Sequence, residues 1–222
     1  FLLMGTAFAV TLVLALWLGT ATAARPYSAL DYGVTGAAFA GISVPSFFTA
    51  MALIYVFALR LGWFPTSGLE DYAAGHTGIA LFLDRLRHLV LPVTVLVLTG
   101  AAELVRHVRS AVLEELGQDY VRTARSKGVS ERAVLRRHAL RNSLLPVITL
   151  VGVALPRLLA GSVITETVFT WPGMGRLLVE SVFARDYPVA MAINMLAAVL
   201  VLAGSLLADV LYAAVDPRVR YS

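Results

Sequence analysis

Fourteen carboxylates, four histidines, one lysine and no cysteine hold most of the reactive chemistry available to this 222-residue chain. Without cysteine there is neither a disulfide framework nor a thiolate zinc site. His76, His88, His107 and His138 show no metal-ligand spacing, and no His-Glu-x-x-His helix occurs. Each histidine reads as an interfacial or packing residue. A Gly-x-Ser-x-Gly nucleophile elbow is also missing. Lys127, the sole lysine, is followed by Gly128, whereas a Walker A loop needs Gly-Lys-Ser/Thr so that the lysine reaches the phosphates. The chain therefore cannot hold a nucleotide by that motif. No catalytic residue, no metal site and no cofactor of its own are expected, so an intramembrane enzyme is the disfavoured class.

The remaining chemistry is charge in apolar surroundings. The chain is 59% hydrophobic and 14% charged, with a mean hydropathy of +0.79. Soluble domains hold about 45–50% apolar and about 25% charged residues. Disorder is excluded, and a soluble globule could not hide this much apolar surface. An all-α polytopic membrane protein is expected. About 20 mostly apolar residues span the hydrocarbon. Residues 1–24, 32–59 and 187–208 are free of charge, while 88–105 contains Glu103 and 142–165 contains Arg157. This predicts five spans. The start lacks Met and a basic leader, so an upstream segment is expected.

Charges inside spans cost about 2.5–3.5 kcal/mol and default to function. Glu103 and Arg106, three residues apart, suit either a local pair or a gate. Arg157 suits a polar passage or an acidic partner on a neighbouring helix. Asp209, about two turns before Asp216-Pro217, suits helix packing as well as transport. The loops alternate in charge. Residues 107–141 carry Arg109, Arg122, Arg125, Lys127, Arg132, Arg136, Arg137 and Arg141, whereas 166–186 hold three acids and only two arginines. Short basic loops stay in the cytoplasm. The basic segment and the tail after 215 are thus expected inside, and 61–87 and 166–186 outside. In the latter, Pro172-Gly173 suits a type II turn, 176–183 a short amphipathic helix, and Pro188 the first turn of the last span.

The basic segment is punctuated as two helices. A first, over 119–127, ends at Gly128, which suits a left-handed C′ residue, with Arg125 and Lys127 near its negative end. Ser130 suits the N-cap of a second, with Glu131 in its first turn. Tyr120, Val121 and Ala124 share one face, and Val134, Leu135 and His138 another. Three readings compete: a basic loop touching anionic headgroups, a membrane-anchored helix-turn-helix DNA-binding regulator, and a rigid docking element for a cytoplasmic protein. Only the third uses both the turn and the attachment to spans at each end.

Tyr120-Val-Arg-Thr-Ala-Arg-Ser-Lys-Gly128, followed by Arg137-His-Ala-Leu-Arg-Asn-Ser-Leu-Leu-Pro-Val147, resembles the cytoplasmic signature of binding-protein-dependent ABC importer permeases. The general signature is Glu-Ala-Ala, three residues, Gly, nine residues, Ile-x-Leu-Pro. Arg122-Thr123-Ala124 occupy the first positions, Gly128 the glycine, and His138 to Arg141 the last four, so Ala124, Gly128 and Leu140 match. The departures resemble the dipeptide, oligopeptide and nickel branch, specifically its first permease subunit. Ser43-Val-Pro-Ser-Phe47, Leu61-Gly-Trp-Phe-Pro65, Glu166-Thr-Val-Phe-Thr-Trp-Pro-Gly-Met-Gly175, Asp186-Tyr-Pro188 and the stretch from Asp209 to Arg220 extend the resemblance over the whole chain.

The resemblance implies a MetI-like permease fold: one transmembrane domain over 1–222, with a coupling segment at 107–145. It also implies a second permease subunit, two cytoplasmic ATPases that use ATP and Mg, and an extracytoplasmic substrate-binding protein, all at a bacterial inner membrane. Nucleic acid is not expected as a partner. Tyr120, Arg122, Thr123, Ala124, Lys127, Gly128, Ser130, His138 and Arg141 would couple to the ATPases. Glu103, Arg157, Glu166, Trp171 and Asp209 are the candidates for the path or its gate.

Overall fold

A computed structural model describes residues 2–140, 142–143 and 162–215; side chains at 132, 136–138, 207–209 and 211–215 fall outside the description. Among the described residues every regular element is helical. In chain order these are α1 (Leu2–Ala24), α2 (Ala29–Ser43), α3 (Ser46–Leu53, continuing as a π-helix over Ile54–Arg60), α4 (Gly78–Leu116) and α5 (Asp119–Ser126). Then follow α6 (Glu131–Ala133, continuing as a π-helix over Val134–Ala139), α7 (Val163–Val168), α8 (Met174–Phe183) and α9 (Tyr187–Val215).

Three of the described helices, α1, α4 and α9, are long and apolar enough to cross a membrane, and α2 with α3 makes a fourth if the interrupted pair is one span. The uninterrupted span expected over 32–59 is therefore corrected. Pro45 has no N–H and its ring collides with the carbonyl four residues back, and it drives Val44 away from the helical region. Pro45 sits at φ −56° and ψ 136°, and its carbonyl accepts the N–H groups of Phe48 and Thr49 at 3.0 and 3.1 Å to start α3. Of the fourth expected span, 144–161 lie outside the described residues, Arg157 among them.

The chain forms two compact units. One contains the described residues of 1–9, 43–99 and 156–202. Its core is Ala50, Leu91, Val95 and Phe169, with Leu53, Phe57 and Phe64 packed against it. Both segments expected on the outer side lie here and touch, the Gly68 N–H donating to the Phe169 carbonyl at 2.9 Å.

The other unit contains the described residues of 10–42, 100–155 and 203–222. Here α1 meets α4 through small side chains: Ala15 and Ala23 pack with Val105, Val108 and Val112. A methyl group on Gly19 would lie 2.8 Å from the Val108 side chain and 2.9 Å from the Val105 carbonyl. Without a hydrophobic force between helices in lipid, such close approach supplies the dispersion energy that holds them. Along α1, Leu3, Ala7, Thr11, Ala15 and Gly19 are buried at every fourth position, while Val13 and Trp17 are exposed. On α9, Met191, Met195, Leu202 and Leu206 are exposed, a surface that only lipid or another protein can cover.

Candidate functional site

The element over 119–143 is assembled from its turn outwards. Lys127 closes α5, Gly128 takes φ +78°, and the N–H groups of Val129 and Gly128 donate to the carbonyls of Ala124 and Arg125 at 3.2 and 2.9 Å. These two bonds define a Schellman motif, which satisfies carbonyls that the helix end would leave open. The apolar contact that accompanies it is present. Val129 packs on the buried trio Val121, Ala124 and Val134, so the turn folds α6 back onto α5.

Ser130 holds the N-cap backbone position expected of it, its carbonyl accepting from Ala133 and Val134 at 2.9 Å each, but its side chain makes no cap bond. Glu131 instead reaches back across the turn. Nε and Nη2 of Arg125 donate to its two carboxylate oxygens at 2.8 and 3.1 Å. The Arg125 guanidinium holds the Glu131 carboxyl below its ordinary range against a weaker opposing effect of desolvation, and the same bond raises Arg125. This planar pair clips the turn shut from outside.

The expected apolar face of α5 is rotated. Val121 and Ala124 are buried, but Tyr120 is exposed at its rim. The Tyr120 hydroxyl donates to the Glu115 carboxylate in α4 and accepts from Nδ2 of Asn142 at 2.9 Å. Burial raises the phenol's pKa, Glu115 adds to the rise, and Asn142 opposes it. One hydroxyl thus ties the end of α4, the start of α5 and the chain beyond α6. Leu135 and Leu140 pack onto the α1–α4 core, and Leu116 packs on both that core and the α5–α6 cluster. Packed side chains therefore connect α5 with α4 and α1.

Arg122, Thr123, Ser126, Lys127 and Gly128 form the exposed side. Arg122 has Asp119 at 3.6 Å, and the Thr123 hydroxyl donates to the Asp119 carbonyl at 3.0 Å. His138 lies in the π-helical stretch with its side chain outside the description, and Arg141 lies outside the described residues.

Of the path candidates, Glu103 lies in α4, Glu166 in α7 and Asp209 in α9. Glu103 is exposed and approaches His107 at 3.9 Å, and among the described residues it makes no ion pair with Arg106. The backbone of Asp209 is in α9 and its side chain is outside the description. Glu166 is 3% exposed, and its two oxygens accept the N–H groups of Ser162 and Arg176 at 3.1 and 3.0 Å. It serves the first turns of α7 and α8 together, where a carboxylate is favoured. Trp171 is buried beside it, its N–H donating to the Glu166 carbonyl at 2.8 Å.

The type II turn expected at Pro172-Gly173 is absent. Gly173 is extended, at φ −131° and ψ 168°, and forms the N-cap of α8, while the left-handed residue is Thr170 at φ +51°. Glycine is needed at 173 for space: a Cβ there would sit 2.2 Å from the Glu166 carboxyl carbon. The helix expected at 176–183 is present as α8. It ends in a second Schellman motif, Arg185 at φ +57° and the Asp186 N–H on the Ser181 carbonyl at 2.9 Å. Asp186 then caps α9, its Oδ1 accepting from Val189 at 3.2 Å. Asp186-Tyr-Pro188 is thus a helix-to-helix hinge in which one residue closes α8 and opens α9.

One residue pair escaped the sequence reading. Nε and Nη2 of Arg109 donate to the two oxygens of Asp31 at 2.8 and 2.7 Å, and the Tyr27 N–H adds a third bond at 2.9 Å. The pair joins the start of α2 to α4, with Asp31 5% exposed. A lone acid opening an otherwise charge-free run was its signal.

Helices long and apolar enough to cross a membrane, with a basic helix-turn-helix element packed on α4 and α1, are those of a polytopic membrane protein. The chain belongs to the family described as "Binding-protein-dependent transport system inner membrane component", whose model matches residues 12–221. It is accordingly a permease component of a binding-protein-dependent transport system, and neither the family nor the relatives support the DNA-binding reading. It is similar to the oligopeptide transport system permease protein AppB of Bacillus subtilis strain 168, 49% identical over 220 residues, covering 99% of this chain and 68% of that protein. It is also similar to the di/tripeptide transport system permease protein DppB of Pseudomonas aeruginosa UCBPP-PA14, 42% identical over 217 residues, covering 91% and 65%.

Proposed function

We propose that this chain lines half of the translocation path of an ATP-driven peptide importer in a bacterial inner membrane, paired with a second permease. The 119–143 element docks into cytoplasmic ATPase subunits that bind ATP and Mg, and a substrate-binding protein delivers cargo to the side bearing 61–87 and 166–186. The peptide class rests on the likeness to AppB and DppB. The observation that carries the coupling role is the Schellman turn clipped by Arg125–Glu131 and fastened through Tyr120, Leu116 and Leu135 to α4 and α1. The inside placement of this element is supported by the Asp31–Arg109 pair, which joins the 25–31 turn to the basic segment's first residues.

Alternating access follows if nucleotide-driven closure of the ATPases moves the element between two positions. A partner shifts such an equilibrium only through its different affinity for the two states. The chain has no cysteine, so Lys127→Cys supplies one thiol on the exposed side of α5. In the assembled transporter it should form a disulfide with a cysteine placed on the ATPase surface, at a yield that changes with ATP. A thiol that reaches no ATPase in either nucleotide state would sink the docking claim.

A further inference from the structure

We propose that the groove between α2 and α4 binds an anionic phospholipid of the inner leaflet, with Arg106 as its headgroup ligand. The groove encloses about 180 Å³. Its apolar wall is Ala38, Phe39, Ile42, Ala102 and Val105, and its polar end holds Arg106 and Arg109. The polarity has a direction. Asp31 binds Arg109, so the first turn of α2 lies at the basic end. Ile42 on α2 and Ala102 on α4 then lie about 10 Å or more further along, at 1.5 Å per residue. An anion at one end and a hydrocarbon chain along the other is the chemistry of a phospholipid.

Arg106 is placed to meet such an anion. It is exposed and has no ion-pair partner among the described residues. Of the nearby carboxylates, both Asp31 oxygens are on Arg109, and the exposed Glu103 lies 3.9 Å from His107. Arg109 spends Nε and Nη2 on Asp31, which leaves its Nη1 edge to share a phosphate. A free phosphate would leave the apolar wall uncovered, and an apolar protein helix would leave Arg106 unpaired. Basic pockets between spans on the cytoplasmic side bind lipid headgroups for this reason.

The test uses the complete transporter containing the full chain, delipidated in detergent and re-exposed to phosphatidylglycerol or phosphatidylcholine, with retained lipid counted by native mass spectrometry. Phosphatidylglycerol should be retained preferentially. Arg106→Gln should weaken it about five-fold, which is ~1 kcal/mol at 1.4 kcal/mol per decade. Ala38→Trp should expel both lipids by filling the apolar end. Equal retention of the two lipids, an unchanged Arg106→Gln, or displacement by inorganic phosphate would overturn the proposal. So would a disulfide from Ala38→Cys to a cysteine on the second permease, because a protein helix would then fill the groove. Transport is not the readout, so failure here leaves the permease assignment untouched.

Discussion

Replacing Gly128 tests the coupling element at its weakest point. Gly128 has φ +78°, and a Cβ added there meets nothing within 4 Å, so the penalty is conformational and not steric. An L-residue in the left-handed region costs about 1–2 kcal/mol, and a β-branched one falls at the upper end of that range, within the roughly 1–3 kcal/mol typical of strained backbone. At ~2 kcal/mol for Gly128→Val, the opening equilibrium of the turn rises about 30-fold. Gly128→Asn should cost only a fraction of this, since asparagine tolerates the αL conformation. Hydrogen exchange on the purified transporter reads the opening directly at the amides of Gly128 and Val129, the two Schellman donors. The same variants, reconstituted in vesicles, give ATP hydrolysed per cargo molecule. Exchange and the ATP ratio should rise together in the order Gly, Asn, Ala, Val, with insertion unchanged. If Gly128→Val exchanges and transports like the parent, the turn does not carry the coupling.

Three further outcomes are expected. Asp31→Asn should lower stability by about 3 kcal/mol, the low end for a broken buried pair because Arg109 keeps some exposure; Asp31→Leu with Arg109→Met should recover most of that in a thermal melt. Gly173→Ala should destabilise by about 2–4 kcal/mol, because the Glu166 carboxylate must leave two backbone donors; adding Glu166→Ala should make the double variant less unstable than the sum of the two single losses. Glu131 is held below its ordinary value of 4.5. Its contribution to the turn is therefore complete above that pH and is lost as pH falls through the depressed folded value. Carboxyl NMR of Glu131 should show the depressed titration, and Arg125→Gln should return it to the ordinary range.

The legible parts were those written locally. Gly128 declared its turn because few other residues accept a positive φ there, and apolar runs declared α1, α4 and α9 because a bilayer demands length. Pro45 was equally local, yet the lack of charge across 32–59 masked the break it makes. The capping at 162–176 was misread because Gly173 is required by a carboxylate seven residues earlier, a demand that no turn rule contains.

By itself, then, the sequence determined membrane residence, the basic helix-turn-helix element, its turn and the family signature, since each depends on composition or on neighbours a few residues apart. Only the tertiary structure decided where Tyr120 and Asp31 spend their polar atoms and which residues fasten α5 to α4. It also decided how closely Gly19 lets α1 approach Val108. Those bonds join positions as far apart as Asp31 and Arg109, and a buried charge chooses its partner by distance in space, which linear spacing does not encode.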